Sequence, residues 1–222
     1  MPTIMRKVGA AALCSLLLIT VVYAKDATDW SAIKTELEAM HKTDQTLRFA
    51  SNAMLADARA KGVAVDQVAQ KQLWSKINEQ DRANQKRLTE LVDLHGWPKQ
   101  SLVGQMGAMA AFLIVQHAAE LDYQLKYIET IREATRIGEA SKGSFALLED
   151  RVLLRQDKPQ RYGSQVDTQG GVSLRPTVDE ANLNVRRATM GMEPICEYLA
   201  RFVKTHGKII YPPCVKSSTN EK

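Results

Sequence analysis

Residues 102–117 read LVGQMGAMAAFLIVQH and form the most apolar of the helical segments that the sequence predicts. Large side chains recur there at the three- and four-residue spacing of one helical face, at Met106, Met109, Phe112 and Leu113. The helical pattern continues to Ile137, and Gly138 interrupts it. We therefore predict a central, well-buried helix from about Leu102 to Ile137.

Amphipathic segments lie on both sides of this stretch. They predict helices over about Thr28–Arg59, Asp66–Leu94, Phe145–Arg155, Thr177–Gly191 and Pro194–Gly207. Thr177 and Glu180 have the spacing of a capping box. Residues 160–176 contain the run DTQGG and are predicted to form a short β-hairpin or an ordered loop. The predicted fold class is mainly α, a single-domain helical bundle with this one β element.

The composition is that of a globular protein, because 45% of the 222 residues are hydrophobic and 25% are charged. It excludes a disordered chain, a collagen-like repeat and a polytopic membrane protein. Lysine and arginine number 30 against 25 acidic residues, a formal net charge of +5. Without Arg6 and Lys7, which belong to the N-terminal segment, 28 basic residues remain against 25 acidic ones. We see no basic cluster with stacking aromatics and expect no nucleic-acid partner.

The N-terminus has the pattern of a secretory signal peptide. Arg6 and Lys7 precede an uncharged, largely apolar run over residues 8–22, and Val22 and Ala24 place small residues before a cut. We expect residues 1–24 to be removed after Ala24, which predicts a periplasmic or secreted protein without stable membrane insertion. The run is about 15 residues long, short of the roughly 20 that a spanning helix needs. An uncleaved anchor is the alternative.

Two cysteines remain once Cys14 has left with the signal peptide, namely Cys196 and Cys214. In an oxidising compartment we expect them to form a disulfide, and two free thiols are the alternative. The bond would tie a C-terminal tail, residues 209–222, to a helical domain over residues 25–208.

Polar residues interrupt the apolar stripes of three predicted helices. The first helix carries Asp44, with Arg48 one turn away, and the other two carry Asp81, Asn84, His95, Gln116 and His117. Because a buried charge costs several kcal/mol unless it is paired, we interpret these residues as the walls of a shared polar cavity. Local ion pairs at the stripe edges are the alternative.

His117 is the candidate acid or base if the protein is an enzyme. The candidate ligand-binding residues, chosen for their polar groups on buried stripes or in irregular segments, are His95, Gln116, Asp150, Arg151, Gln160, Tyr162, Gln165 and Arg187. The chain lacks HExxH and a pair of Glu-x-x-His motifs, so we expect neither a metal nor a cofactor.

Six short motifs occur in one order along the chain: HGWP at 95–98, QHA at 116–118, DR at 150–151, QRYGSQ at 160–165, RR at 186–187 and MGM at 190–192. Over about Leu37 to Tyr198 the chain resembles a bacterial domain family of unknown function whose members often follow signal peptides. Ser164 stands where a Thr is common in that family, and Ala119 where an Asp often follows the QHA motif. The resemblance implies a shared polar site without a known reaction.

Our leading hypothesis is an exported, soluble helical protein whose polar pocket binds a small polar or peptide-like ligand. The alternative is a non-enzymatic immunity protein or inhibitor directed against a secreted toxin. A third hypothesis is a purely structural envelope protein, in which the buried polar residues are paired ion clusters. The expected partner is a small ligand or an envelope protein.

Overall fold

The computed structural model describes residues 28–215. The predicted signal peptide and the last residues of the tail lie outside the described residues. Within them the helices are α1 Trp30–Ala60, α2 Gln67–His95, α3 Gln100–Gln116, α4 Leu121–Arg136, α5 Lys142–Arg155, α6 Leu183–Thr189 and α7 Ile195–His206. Strands β1 Val166–Asp167 and β2 Ser173–Leu174 pair antiparallel. The predicted mainly α class and the hairpin near residues 160–176 are confirmed.

Capping side chains begin the first two helices. The Asp29 carboxylate accepts the backbone N–H groups of residues 31 and 32 at 3.0 Å, and Asp66 does the same for residues 68 and 69 at the start of α2. Gly96, with a φ of 80°, ends α2. Helices α1 and α2 form a hairpin that packs on α3, and their contact includes the fully buried side chains of Leu37, Leu88, Val103 and Val115.

The predicted long helix over residues 102–137 is wrong, because the structure divides it into α3 and α4. Arg155 donates hydrogen bonds to the carbonyls of Ala118 and Ala119, and the Gln124 side chain donates to the Gln116 carbonyl at 3.1 Å. These side chains satisfy carbonyls that a continuous helix would have paired. His117 therefore lies at the end of α3 and not inside a helix.

The predicted capping box at Thr177 is also wrong. The Thr177 hydroxyl donates to the Arg175 carbonyl at 2.7 Å, and Asp179 adopts a left-handed conformation with a φ of 41°. A short 3-10 turn over Glu180–Asn182 follows, and α6 begins only at Leu183.

The hairpin, α6 and α7 enclose a second, smaller core centred on Val172, Leu183 and Leu199. The sulfurs of Cys196 and Cys214 lie 1.97 Å apart, at disulfide distance, so the predicted pairing is confirmed. It joins α7 to the 3-10 turn over Pro212–Cys214. Among the helices of residues 28–215, none has both the length and the apolar character that a membrane crossing requires.

The loop over residues 160–165 is held on the buried carboxylate of Asp150, and we call this arrangement the clasp. Asp150 Oδ1 accepts the backbone N–H of Arg161 at 2.7 Å and of Tyr162 at 3.0 Å, and Oδ2 accepts that of Ser164 at 2.9 Å. Burial raises the pKa of Asp150, although the three N–H groups favour its ionised form. The clasp fastens the C-terminal core to α5.

We expect Asp150→Asn to lower the free energy of unfolding by about 3 kcal/mol or more, because the new amide group faces backbone donors and the charge-assisted hydrogen bonds are lost. Urea unfolding measures the loss. Asp157→Asn, a change at an exposed aspartate, serves as the control and should stay within about 0.5 kcal/mol of the wild type. Equal midpoints for the two variants would contradict the role we give to Asp150.

Candidate functional site

Polar side chains from α1, α2 and the end of α3 meet in one cluster, formed by Asp44, Arg48, Asp81 and His117. Arg48 Nη2 donates to both carboxylate oxygens of Asp81, at 3.0 and 2.9 Å. Asp44 Oδ1 lies 3.0 Å from His117 Nδ1 and 3.3 Å from Arg48 Nε. Gln45 donates to the other oxygen of Asp44 at 2.7 Å. The interrupted stripes of three helices thus come together at these four residues.

The pKa values of the two carboxylates in the cluster are shifted in opposite directions. Burial alone raises the pKa of Asp44, but the hydrogen bond with His117 and the charges of His117 and Arg48 lower it below the ordinary 3.8. Burial also raises the pKa of Asp81, and there the hydrogen bonds from Arg48 offset it only in part. Such divergence between neighbouring carboxylates is common where acid and base roles are divided.

The proton position on His117 decides what this residue can do. Its Nδ1 lies 3.0 Å from both Asp44 Oδ1 and Arg48 Nε. The Arg48 Nε–H is directed at Nδ1, and the contact of Nε with Asp44 Oδ1 is an ion pair at 3.3 Å. We nevertheless expect the ring proton on Nδ1, because the charged acceptor Asp44 Oδ1 lies 3.0 Å from this nitrogen and the Arg48 N–H can turn toward the same carboxylate. In this tautomer Nε2 keeps its lone pair. A histidine oriented by a carboxylate in this way is suited to act as a general base.

A cavity of about 380 Å³ opens beside the cluster. His117, Arg48 and Asp81 form one side of it, and the remaining lining includes Ser51, Asn52, Trp74, Asn78 and Arg151. Its volume falls within the roughly 300–1,000 Å³ that is usual for small-molecule sites.

Arg151 reaches this cavity from α5. Gln116, with its amide oxygen turned toward Arg151, accepts from Nε at 2.9 Å and from Nη2 at 3.2 Å. Within residues 28–215 Arg151 forms no ion pair with a carboxylate. Burial lowers the pKa of Arg151, and the charges of Arg155 and Arg48 lower it further. The cavity therefore contains a positive charge that the described acidic residues do not neutralise.

Asp44, Asp81 and His117 also offer three ligand atoms that lie within 4.8 Å of one another, close enough for a metal ion. The guanidinium of Arg48 contacts all three residues. A metal ion at this position would have to displace the Arg48 guanidinium, which already neutralises the two carboxylates. The cluster suits an arginine better than a metal, and the expectation of no metal stays a prediction.

His95 lies apart from the cavity. Its Nδ1 is 3.1 Å from the Thr28 hydroxyl, and its ring packs edge-on against Trp30 with centroids 6.1 Å apart. Trp30 and Asp44 are separated by roughly 20 Å along α1. His95 and His117 thus do not face a common ligand site.

Five further candidate residues belong to the clasp and its supports. The Gln160 side chain donates to the backbone carbonyl of Gln165 and accepts from its backbone N–H, both at 2.9 Å. The Gln165 side chain donates to the Ser164 hydroxyl at 3.2 Å. Arg187 donates to the carbonyls of Tyr162 at 2.6 Å and Glu193 at 2.7 Å. With Asp150 they fix the loop, and a ligand-binding role for any of them stays a prediction.

The cavity residues that sequence reasoning missed are Ser51, Asn52, Trp74 and Asn78. Ser51 follows Asp44 by two helical turns and could have been found as a polar residue on the same buried stripe. Asn52 and Asn78 are exposed on helix surfaces, where amide side chains carry no signal.

We expect Asp44→Asn to lower the free energy of unfolding by about 2 kcal/mol near pH 7, because Arg48 and His117 lose a charged acceptor. The pKa of Asp44 is lowered in the folded state, so its stabilisation is present above 3.8 and is lost as the pH falls further. The difference in free energy of unfolding between wild type and variant should therefore disappear as the pH falls below 3.8. Urea titrations over pH measure it, with Asp93→Asn as an exposed control. A gap that is constant with pH would refute this view of Asp44.

We expect nitrogen-15 NMR of the neutral His117 ring to show a protonated Nδ1 and an unprotonated Nε2. The physical reason is the carboxylate of Asp44 at 3.0 Å from Nδ1. The opposite tautomer would mean that Nδ1 accepts from Arg48, and it would remove His117 as a base acting through Nε2.

A family model described as "Family of unknown function (DUF6624)" matches residues 31–210 of the chain. Both the cavity and the clasp lie inside these residues. No curated protein and no solved structure matches the chain. Since the match extends over most of its length, the chain belongs to the DUF6624 family of unknown function.

Proposed function

We propose that this protein is an exported binding protein for a small ligand that carries an anionic group, held in the cavity beside His117. The observation that carries the proposal is Arg151, a largely buried cation that faces the cavity without a carboxylate partner among residues 28–215. A desolvated charge costs free energy unless an opposite charge accompanies it. A carboxylate or phosphate of the ligand supplies that charge.

The remaining donors of Arg151 suit this role. Gln116 accepts from Nε and Nη2, which leaves Nη1 for a ligand. Arginine binds carboxylates and phosphates through paired hydrogen bonds, so one anionic group can use several N–H groups at once. The charges of Arg48 and Arg155 add to the positive potential near Arg151.

The other walls of the cavity favour a polar ligand. Asn52 and Asn78 offer amide groups that can both donate and accept hydrogen bonds. Trp74, which is 47% exposed, adds a flat apolar surface for a hydrocarbon or planar part of the ligand.

Catalysis is a second candidate function, and the pair of His117 with Asp44 is the observation that favours it. With the ligand anion on Arg151, His117 Nε2 would remove or return a proton and Asp44 would hold the ring in place. A toxin inhibitor would instead act through a broad exposed surface, and the concave site with the partly buried Arg151 favours the small ligand over that alternative.

Export is supported by two observations. The signal-peptide pattern precedes residue 25, outside the described residues. The cysteines at disulfide distance suit an oxidising compartment, where such pairs persist.

We expect Arg151→Gln to weaken binding of acetate, succinate or phosphate by about tenfold or more, because charge-assisted hydrogen bonds are lost. NMR titration of the wild type and the variant measures the dissociation constants. Arg151→Lys keeps the charge without the paired geometry and should fall between the two. Arg175→Gln, at an exposed arginine, is the control. Equal binding by wild type and Arg151→Gln, or no anion binding at all, would overturn the proposal.

A further inference from the structure

Two further depressions adjoin the cavity beside His117 along α2, and we call the three together the groove. A second depression of about 100 Å³ shares Asn78, Asp81 and Ala119 with this cavity. A third depression of about 430 Å³ shares Arg82, Gln85 and Glu120 with the second. The three depressions follow α2 from Trp74 to Glu90, which is roughly 24 Å of helix. The site is thus much longer than a single small anion requires.

Two nearly buried polar side chains face this groove without a partner in the described part of the chain. Ser51 is 5% exposed and lies in the first depression, and Gln85 is 9% exposed and lies in the second and third. The backbone carbonyl of Gln85 is fixed by the hydroxyls of Thr89 at 2.9 Å and Tyr123 at 2.8 Å, but its side-chain amide forms no hydrogen bond within residues 28–215. The polar atoms of both side chains have no protein partner within residues 28–215 and are open to solvent, so they are available to a ligand that lies in the groove.

The charges along the groove indicate the chemistry of that ligand. Arg82, Lys86 and Glu120 line its far part, and none of the three forms an ion pair within residues 28–215. Arg151 adds an unneutralised positive charge at the near end. Charges of both signs beside neutral amides complement a chain that itself carries both signs. Arg82, Lys86 and Glu120 are exposed. A peptide could form ion pairs with them, whereas a neutral sugar chain could not.

We propose that the groove along α2 binds an extended peptide with a carboxylate on Arg151. This inference rests on the proposed function, since the same Arg151 receives the anion. Ser51 and the Gln85 amide pair with polar groups of the peptide backbone, which offers donors and acceptors in turn. At about 3.4 Å per extended residue, a groove of roughly 24 Å holds about seven residues.

The test uses peptides of random sequence, three, five, seven and nine residues long, each with a free C-terminal carboxylate or a C-terminal amide. Binding to the wild type is measured by NMR titration, with succinate as the short probe. We expect affinity to rise up to about seven residues and then to level off, with amidation weakening it about tenfold or more.

Gln85→Leu separates the groove from the anion site. It should weaken the seven-residue peptides by about tenfold while succinate binding stays unchanged, because Gln85 does not line the cavity that contains Arg151. Gln72→Leu, an exposed glutamine on the same helix, is the matched control and should change neither. Thermal melting of both variants checks that they fold.

Each other outcome has one meaning. If succinate binds but peptides bind no tighter than it, the peptide inference falls and the proposed function stands. If neither succinate nor peptide binds, both fall. If Gln85→Leu and Gln72→Leu bind the peptides equally, or if a tetramer of N-acetylglucosamine binds in place of the peptides, the peptide assignment is overturned.

Discussion

The rest of the structure depends on the hydrogen bonds between the Asp150 carboxylate and the backbone of the 160–165 loop. The carboxylate collects three backbone N–H groups of the 160–165 loop, and the second core is attached to the helical bundle through that loop. Arg187 and the Tyr198 hydroxyl then bind carbonyls of the same loop. Asp150 and Arg151 are adjacent on α5. The hydrogen bonds of Asp150 hold this helix in place, and they therefore also orient Arg151 toward the cavity.

Arg48 has the corresponding role between the other helices. One guanidinium contacts residues of α1, α2 and the end of α3, so the mutual position of these helices and the polar centre of the cavity are set by the same group. The cavity is thus bounded by one arginine that is neutralised, Arg48, and by one that is not, Arg151. That asymmetry is the electrostatic basis of the proposed anion site.

Helical periodicity and the cysteine pair are local signals, and the sequence predicts the helices and the disulfide from them; the capping box at Thr177 is the local signal that fails. The division between α3 and α4 escapes prediction because Arg155, which satisfies the carbonyls there, lies more than thirty residues away in the chain. For the site, polar residues on buried stripes identify Asp44, Asp81 and His117. The polar residues of the loop around Gln160 are predicted to bind a ligand, but the side chain of Gln160 instead forms hydrogen bonds with the irregular backbone of the loop.

The break between α3 and α4 has a consequence for divergence within the family. Ala119 lies on the wall between the first two depressions of the groove, and Arg155, one turn from Arg151, holds its carbonyl. Residues 117–120 therefore form a part of the groove that is not built into either helix. Insertions or deletions in this connection would reshape the groove while both cores stay intact, so on the proposed function this connection is the place where ligand preference can change without loss of the scaffold.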